Sequence, residues 1–335
     1  MKKIFNFLLV IASVIISLFL IEILCRFSGK TPFQYTKKSS DEPTTNEFDE
    51  TLGWKPKLGA FKFKPWSPVG KVTTLTNTVN GRKDLINDEG MKKIIFLGGS
   101  FTQGFAVDDK ETFAYLVEKE LAEFNVENYG VGGYGTYQSL LKLENLEKKK
   151  IEFVFYGYVD HHDLRNIAQD SWLKMLMEYS NRGGVKLPYV SLENDDIIRY
   201  EPTKFIELPF RKNSALIHLI EKKIMYFNSR SRYKARVAIR NNIINEMNLF
   251  SQKNDFNYVT LILNTPNDNL NKIIKFHNDN KIKYLNCNIE KFEDEMIVKN
   301  EGHPNSSVHY NWSKCITHYI RMVAEERLDP PTGKL

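Results

Sequence analysis

The chain has 335 residues and a formal net charge of +6, with 42% hydrophobic and 26% charged residues. This length suffices for one large α/β domain with attachments, and the composition is typical of a folded protein. Because Lys and Glu are interspersed and no Arg-rich or aromatic-interleaved basic stripe occurs, the charge argues for a solvated surface and against a nucleic-acid partner.

The N-terminus carries an apolar run, residues 4–24, with the length of about 20 residues that a membrane-spanning helix needs. A secretory signal has a shorter apolar region and a small-residue cleavage site, which the following CRFSGK does not offer. The run therefore favours an uncleaved single-pass anchor over a cleaved signal. Glu22, near its far end, is expected to reach the membrane interface.

The orientation of this anchor follows from the flanking charges. Lys2 and Lys3 precede the run, and Arg26 and Lys30 follow it. With the amino terminus counted, the balance favours a cytoplasmic N-terminus by a small margin. The body of the protein is then expected in the periplasm or another extracytoplasmic space.

The three cysteines, Cys25, Cys287 and Cys315, form no CxxC motif and no disulfide framework. Cys287 and Cys315 can pair only if the fold brings them together, and free structural thiols are expected. No metal site or cofactor is predicted, since His161, His162 and Asp163 lack further ligands at convincing spacing.

Strands and helices alternate from residue 92 onwards. The predicted strands are KKIIFLG, VENY, IEFVFYGYV, NYVTLIL and IKYLNC; the predicted helices are ETFAYLVEKELAEF, TYQSLLKLENLEKK, PNDNLNKIIKFHNDN and NWSKCITHYIRMVAEER. This alternation predicts an α/β fold with a parallel sheet covered on both faces.

The chain divides into an anchor (1–28), a linker and irregular wrapping segment (29–90) and an α/β domain (91–330). Residues 164–250 interrupt the alternation, and we expect a partly helical insertion with a loop over residues 181–196 and two helices around 213–252. The insertion directly follows the third strand, where ligands of such sheets bind.

Four polar or glycine-rich loops follow predicted strands and converge on one edge of the sheet. They contain Ser100 in LGGSFTQG; Gly130, Gly132, Gly133 and Gly135; Asp160, His161, His162 and Asp163; and Glu301, His303 and His309. The chemistry suits acyl transfer, with Ser100 as nucleophile, His303 as base and Glu301 as the orienting acid. The amides of Ser100 and Gly133 and a side chain of the third loop are candidate oxyanion donors, and His309 is expected to pack or cap the last helix.

These motifs resemble the blocks of the GDSL or SGNH hydrolases, a superfamily of serine esterases and acyltransferases with a flavodoxin-like three-layer α/β/α sandwich. LGGSFTQG matches the first block with Gly99 where Asp is usual, and NYGVGGYGTYQ the second with Gly133 as the oxyanion glycine. HHDL matches the third with His162 in place of Asn, and EGHPNSSVH the last with Glu301 for Asp. The family often has Asp where Asn300 stands, so either Glu301 or a carbonyl group orients His303.

The resemblance implies a membrane-anchored serine esterase or acyltransferase, and similar anchored members act on acyl groups of envelope or exported glycans. Removal or transfer of O-acetyl groups on a polysaccharide is therefore the expected reaction. Two alternatives remain open: a non-enzymatic glycan-binding or assembly protein on the same fold, and a lipid esterase. The sequence leaves the direction of transfer and the oligomeric state undetermined.

Overall fold

The structure is a computed structural model that describes residues 2–34, 45–64, 71–82, 90–179, 186–194, 196–204, 206–299 and 301–324. Its first elements are α1 (Lys2–Phe27), β1 (Asn46–Asp49), β2 (Gly53–Pro56), β3 (Gly59–Phe63), β4 (Thr73–Thr78) and β5 (Gly81–Arg82). By length and composition alone, α1 is long and apolar enough to cross a membrane, a property that signal sequences share.

The first half of the α/β body contains β6 (Lys92–Gly98), α2 (Ser100–Gln103), α3 (Phe113–Glu120), β7 (Phe124–Gly130), α4 (Thr136–Glu144) and β8 (Ile151–Val159). The second half contains α5 (His162–Asn166), α6 (Asp170–Tyr179), β9 (Lys186–Glu193), β10 (Asp196–Lys204), α7 (Ala215–Lys253), β11 (Asn257–Asn264), α8 (Asn267–Asp279), β12 (Tyr284–Asn286) and α9 (Ser306–Ala324).

Five parallel strands form the centre of the sheet in the order β12-β11-β8-β6-β7. Counted along the parallel strands alone, this is the 5-4-3-1-2 order of flavodoxin-like folds. One face of β6 packs Ile95 and Leu97 against α4, α7 and α8, and the other packs Ile94 and Phe96 against α3 and α9. The predicted three-layer α/β/α sandwich with a mostly parallel sheet is therefore confirmed.

The expectation that residues 29–90 are irregular is wrong for much of their described part. β3, β4 and β5 extend the main sheet beyond β7 as antiparallel strands. β4 alternates buried and half-buried residues, the period of a strand, but its TTLTNT sequence is too polar to stand out beside the apolar central strands. The polar linker-like stretch lies mostly outside the described residues.

The insertion also differs from expectation. The segment predicted as a loop contains β9, which pairs with β10 immediately after it as an antiparallel hairpin. A single helix, α7, replaces the two predicted helices. The second half of α7 packs Ile239, Ile243 and Met247 into the main core. This half is thus the crossover helix between β8 and β11, so the core resumes well before residue 250.

Cys287 and Cys315 form a disulfide with a Cα–Cα distance of 6.2 Å, so the expectation of free thiols holds only for the buried Cys25. Cys287 follows β12, and α9 lies across that end of the sheet, where the indole N–H of Trp312 donates to the Cys287 carbonyl at 3.1 Å. Helix packing brings together two thiols that are 28 residues apart, which spacing alone does not reveal.

Removal of the disulfide should destabilise the protein. For a closed loop of 28 residues, the chain-entropy relation gives about 3–4 kcal/mol of unfolding free energy. Urea unfolding of the detergent-solubilised protein should show this loss for Cys287→Ser/Cys315→Ser, and for the wild type after reduction. The reductant should leave the double variant unchanged. Equal midpoints for oxidised wild type and double variant would contradict a stabilising bond.

Candidate active site

Ser100, His303 and Glu301 form a continuous hydrogen-bonded line at the carboxyl edge of the sheet. His303 Nε2 lies 2.8 Å from Ser100 Oγ, and His303 Nδ1 lies 2.6 Å from Glu301 Oε1. The Glu301 side chain is 1% exposed, while that of His303 is 25% exposed. A ring that donates from Nδ1 to a carboxylate keeps its Nε2 lone pair for the serine hydroxyl.

The last loop folds so that residues 301 and 303 face each other. The Val298 carbonyl accepts the N–H groups of Glu301 and Gly302, and Val298 N–H donates to the His303 carbonyl at 2.8 Å. Gly302 has a φ of +85°, a left-handed conformation that glycine adopts without strain. The second Glu301 oxygen accepts the His303 backbone N–H at 2.8 Å, so one carboxylate fixes both the loop and the ring.

The start of α9 holds this loop from its other side. Asn305 Oδ1 accepts the backbone N–H groups of Ser307 and Val308, as a cap does at a helix N-terminus. His309, in the first turns, accepts the Phe113 N–H at Nδ1 and stacks on the Phe113 ring. Burial lowers the pKa of His309 to about 3, as suits a neutral packing residue. Asn300 lies outside the described residues.

The second loop lies beside the nucleophile turn and is tied to it. Gln103 Oε1, from α2, accepts the Gly132 N–H at 2.9 Å, and the Trp54 indole donates to the Gly132 carbonyl at 3.1 Å. A Cβ on Gly133 would lie 3.0 Å from Trp54 and 3.4 Å from Trp172. Two aromatic rings, from β2 and α6, therefore enclose the glycine that sequence analysis assigned to the oxyanion site.

His162 is fully buried at the start of α5, and its Nδ1 lies 2.8 Å from the Tyr156 hydroxyl. Its Nε2 has no hydrogen-bond partner among the described residues and points towards Gly99, 2.6 Å from where a Cβ would stand. Burial, followed by the charge of Arg165, keeps the pKa of His162 well below its ordinary value. A neutral imidazole thus lies behind the nucleophile turn.

His161 lies on the His303 side of the same loop. Its ring meets the edge of Phe101 at 5.9 Å, and Phe101 in turn meets His303 at 5.5 Å. Burial and the charges of Arg165 and His303 lower the pKa of His161 well below its usual range. Two neutral histidines therefore flank the site where the family has one asparagine.

Arg165 places a buried guanidinium beside the nucleophile turn. It donates to the Tyr134 carbonyl at 2.8 Å, stacks 4.6 Å from the Trp172 ring centroid, and lies 3.0 Å from the Cβ position of Gly99. No described carboxylate forms an ion pair with it, and burial lowers its pKa to about 9, which still leaves it charged at neutral pH. A side chain at position 99 would collide with His162 and Arg165. Glycine is therefore required at this position as long as these two side chains are in place.

Arg82 of β5 supports the opposite end of the nucleophile turn. Its guanidinium pairs with Asp109 at 3.0 Å and donates to the carbonyls of Gln103, Gly104 and Val107. These acceptors include carbonyls at the end of α2, which lack intrahelical partners. Arg82 thus fixes α2 in place from a segment that sequence analysis treated as peripheral.

The structure brings Ser100, His303, Glu301 and Gly133 to one edge and places the His162 ring behind it. Sequence reasoning missed the residues that support them, which are Trp54, Arg82, Gln103, Arg165 and Trp172. The DLRN run after the third strand contained a signal, since it begins a helix at the active edge and carries Arg165. Nothing local marked Trp54 or Arg82, because their partners lie far along the chain, 78 residues away for Gly132 and 21 for Gln103.

No family model matches this chain, and no curated protein matches it. Among solved structures, it is similar to a psychrotrophic esterase EstA from Pseudoalteromonas sp., with 11% identity over 70% of this chain and 99% of that one and a TM-score of 0.40. It is also similar to a putative lipolytic protein of the G-D-S-L family from Desulfitobacterium hafniense, with 9% identity, coverages of 68% and 98%, and a TM-score of 0.37. An acetyl xylan esterase from Geobacillus stearothermophilus gives 11% identity, coverages of 68% and 93%, and a TM-score of 0.37.

Replacement of Glu301 and of its neighbour Asn300 should show which of the two residues orients His303. Glu301→Gln should lower kcat for p-nitrophenyl acetate by about 100-fold or more, since the imidazolium formed at His303 loses its carboxylate. Asn300→Ala is the matched control and should cost far less. A Gln variant that keeps near-normal kcat across the pH range would remove Glu301 from this role.

Replacement of Arg165 should show whether its positive charge stabilises the oxyanion formed during ester cleavage. A cation several ångströms from a developing oxyanion is worth on the order of a few kcal/mol at an effective dielectric of about 20. Arg165→Met should therefore lower kcat by about 10-fold or more with little change in KM for a small neutral ester, and Arg165→Lys should restore part of it. Equal kcat for the Met and Lys variants, with intact melting curves, would contradict an electrostatic role.

Proposed function

We propose that this protein is a serine esterase or O-acyltransferase that acts on acyl esters, acetyl above all, of an envelope or exported glycan. The observation that carries the proposal is the Ser100–His303–Glu301 line with distances of 2.8 and 2.6 Å. The glycan rests on the family resemblance, because the residues at the site define the reaction rather than the sugar.

In the proposed mechanism, His303 Nε2 takes the proton of Ser100 as Oγ attacks the ester carbonyl. Glu301 stabilises the imidazolium that forms, and His303 then returns the proton to the departing alcohol, which leaves an acyl-serine. Water or an acceptor hydroxyl, deprotonated by the same imidazole, attacks this intermediate to complete hydrolysis or transfer.

The oxyanion of each tetrahedral intermediate needs donors that are already in place. The Ser100 amide begins α2 and has no intrahelical acceptor, and we assign a second amide to Gly133. The Tyr156 hydroxyl donates to Thr136 Oγ1 at 2.8 Å and therefore accepts from His162 Nδ1, which leaves Nε2 without a proton. For His162 to donate to the oxyanion from Nε2, the Tyr156 proton must turn from Thr136 to His162 Nδ1. The Arg165 charge favours the same anion.

We place the protein in the membrane through α1, with the N-terminus in the cytoplasm and the α/β body outside. The disulfide between Cys287 and Cys315 supports this side, because disulfides persist in oxidising compartments such as the periplasm. The loop that carries Glu301 and His303 lies within the segment that this bond closes.

Ser100→Ala should abolish ester turnover and leave the melting curve unchanged, since loss of a nucleophile in a catalytic unit costs several orders of magnitude. Ser306→Ala is the matched control, an exposed serine that should keep full activity. The measurement is turnover of p-nitrophenyl esters of increasing chain length, with fluorophosphonate labelling of the active serine.

The same assay separates the alternatives. A preference for acetate supports the glycan O-acetyl proposal, whereas a preference for long chains favours a lipid esterase. An unlabelled wild-type chain that turns over no ester would contradict the enzyme and favour a glycan-binding or assembly protein.

A further inference from the structure

The end of α1 is bonded directly to the start of α7. Glu22 accepts the Ser214 hydroxyl at 2.7 Å and the backbone N–H groups of Ala215 at 3.0 Å and Leu216 at 2.9 Å. A carboxylate in this position satisfies the unpaired donors of a helix N-terminus and complements its dipole. One end of the apolar helix is therefore the cap of the longest helix in the described structure.

The residues after this contact continue the attachment. Arg26 donates to the Asn213 carbonyl at 2.8 Å, and His218 Nδ1 lies 2.9 Å from the Thr31 carbonyl. The Phe33 N–H donates to the Arg211 carbonyl at 2.9 Å. The chain that leaves α1 is thus packed along α7, and α1 is joined to the body as a fixed element.

This attachment sets the position of α7 relative to a bilayer that α1 crosses. Glu22 lies two residues before the end of the apolar run, about 3 Å along the helix axis. Because Glu22 is hydrogen-bonded to Ser214, Ala215 and Leu216, the first turn of α7 must lie at the level of the lipid headgroups. This step rests on the proposed anchoring by α1.

The outer face of α7 near this point carries apolar and basic side chains in alternation. Ile220, Lys223, Phe227 and Arg230 are exposed and recur at intervals of three and four residues, so they share one helix face. Ile220 is 44% exposed and Phe227 63% exposed, and Phe210, before the helix, is 71% exposed. Apolar residues interleaved with basic ones are typical of helices that lie in an anionic membrane interface.

We propose that this face of α7, defined by Ile220, Lys223, Phe227 and Arg230, is a membrane-contact surface that binds the anionic headgroup region of the bilayer in which α1 is anchored. The opposite side of α7 packs Met225 into the cluster that contains Trp54 and Trp172. The membrane-contact surface and Met225 lie on opposite sides of one helix, so one helix diameter, roughly 10 Å, separates them. The contact thereby holds the candidate active site at a fixed, short distance above the membrane, where esters presented at the surface reach it.

The test uses the full-length protein in nanodiscs that contain phosphatidylglycerol. Nitroxide labels are placed by Ile220→Cys and Phe227→Cys, with Tyr310→Cys on α9 as an exposed control (51% exposed), all in a Cys25→Ser background that retains the disulfide. Power saturation then compares accessibility to oxygen, which concentrates in lipid, with accessibility to a water-soluble nickel chelate.

Labels at 220 and 227 should show an oxygen-to-nickel ratio several-fold above that at 310. Lys223→Glu/Arg230→Glu should lower this ratio, and so should replacement of phosphatidylglycerol by phosphatidylcholine. Equal ratios at all three positions would overturn the proposal, and so would spin–spin coupling between copies, which indicates a second chain on this face.

Glu22→Ala should lower the ratio at 227, whereas Glu47→Ala, an exposed acid elsewhere, should not.

Two further readouts on the same samples keep this proposal distinct from the proposed function. Turnover of p-nitrophenyl acetate reports the Ser100 chemistry, and its absence with a high ratio at 227 would contradict the enzyme but leave the contact intact. The intact mass reports the N-terminus, and a chain that begins beyond Cys25 would overturn both the anchor and the contact.

Discussion

Three glycines in register across the sheet let the nucleophile turn lie directly against it. Gly98 of β6 stands opposite Gly130 of β7 and Gly157 of β8. A Cβ on Gly98 or Gly157 would lie 2.2 Å from Thr102 Oγ1, and one on Gly130 would lie 2.9 Å from Thr102 Cβ. Thr102 therefore occupies the space that these absent side chains leave. Ser100, two residues earlier in α2, takes its position from that contact.

Buried charged side chains hold α2 in the position that the three glycines make possible. Arg82 and Asp109 form an ion pair with both side chains nearly inaccessible, and the same guanidinium serves the carbonyls at the end of α2. Removal of one member of such a pair typically costs about 3–5 kcal/mol, because a charge is left unpaired in the interior. No described carboxylate pairs with Arg165. Its positive charge is therefore not neutralised by an ion pair and acts on the groups around it, including the nucleophile turn. One arginine supports the turn, and the other shapes the electrostatics beside it.

The departures from the family pattern are explained together by this second arginine. Gly99 stands where the resembled motif has aspartate, and His162 Nε2 and Arg165 Nη1 both approach within 3.0 Å of the position its Cβ would take. A carboxylate there would need room that the two side chains occupy. The motifs of the family that this chain resembles have an acidic residue and an asparagine at these two positions, whereas this site has Gly99 and His162. The Arg165 guanidinium lies close to both the Gly99 backbone and the Trp172 ring.

The long helix α7 joins parts of the chain that otherwise have little in common. Its first turn is capped by Glu22 of α1, Met225 in its first third packs beside Trp54 and Trp172, and its last turns pack Met247 in the main core. Because each turn of a helix is hydrogen-bonded to the next, α7 holds the residues packed along it at fixed distances from one another. α1, the aromatic rings around Gly133 and the crossover to β11 are therefore all connected through α7.

The sequence by itself determined the five parallel strands, the layered fold, and the loops that carry Ser100, Gly133, His162, Glu301 and His303. These features are local, because an apolar run, a glycine turn or a capped helix is encoded by neighbouring residues and parallel strands bring their carboxyl ends to one edge. The tertiary structure alone decided the pairing of Cys287 with Cys315, the entry of β3–β5 into the sheet, and the approach of Arg82, Trp54 and Arg165 to the turn. Those contacts join residues far apart in the chain, and polar strands and single arginines have no periodicity that marks their partners. Their positions follow only from the packing of the whole domain.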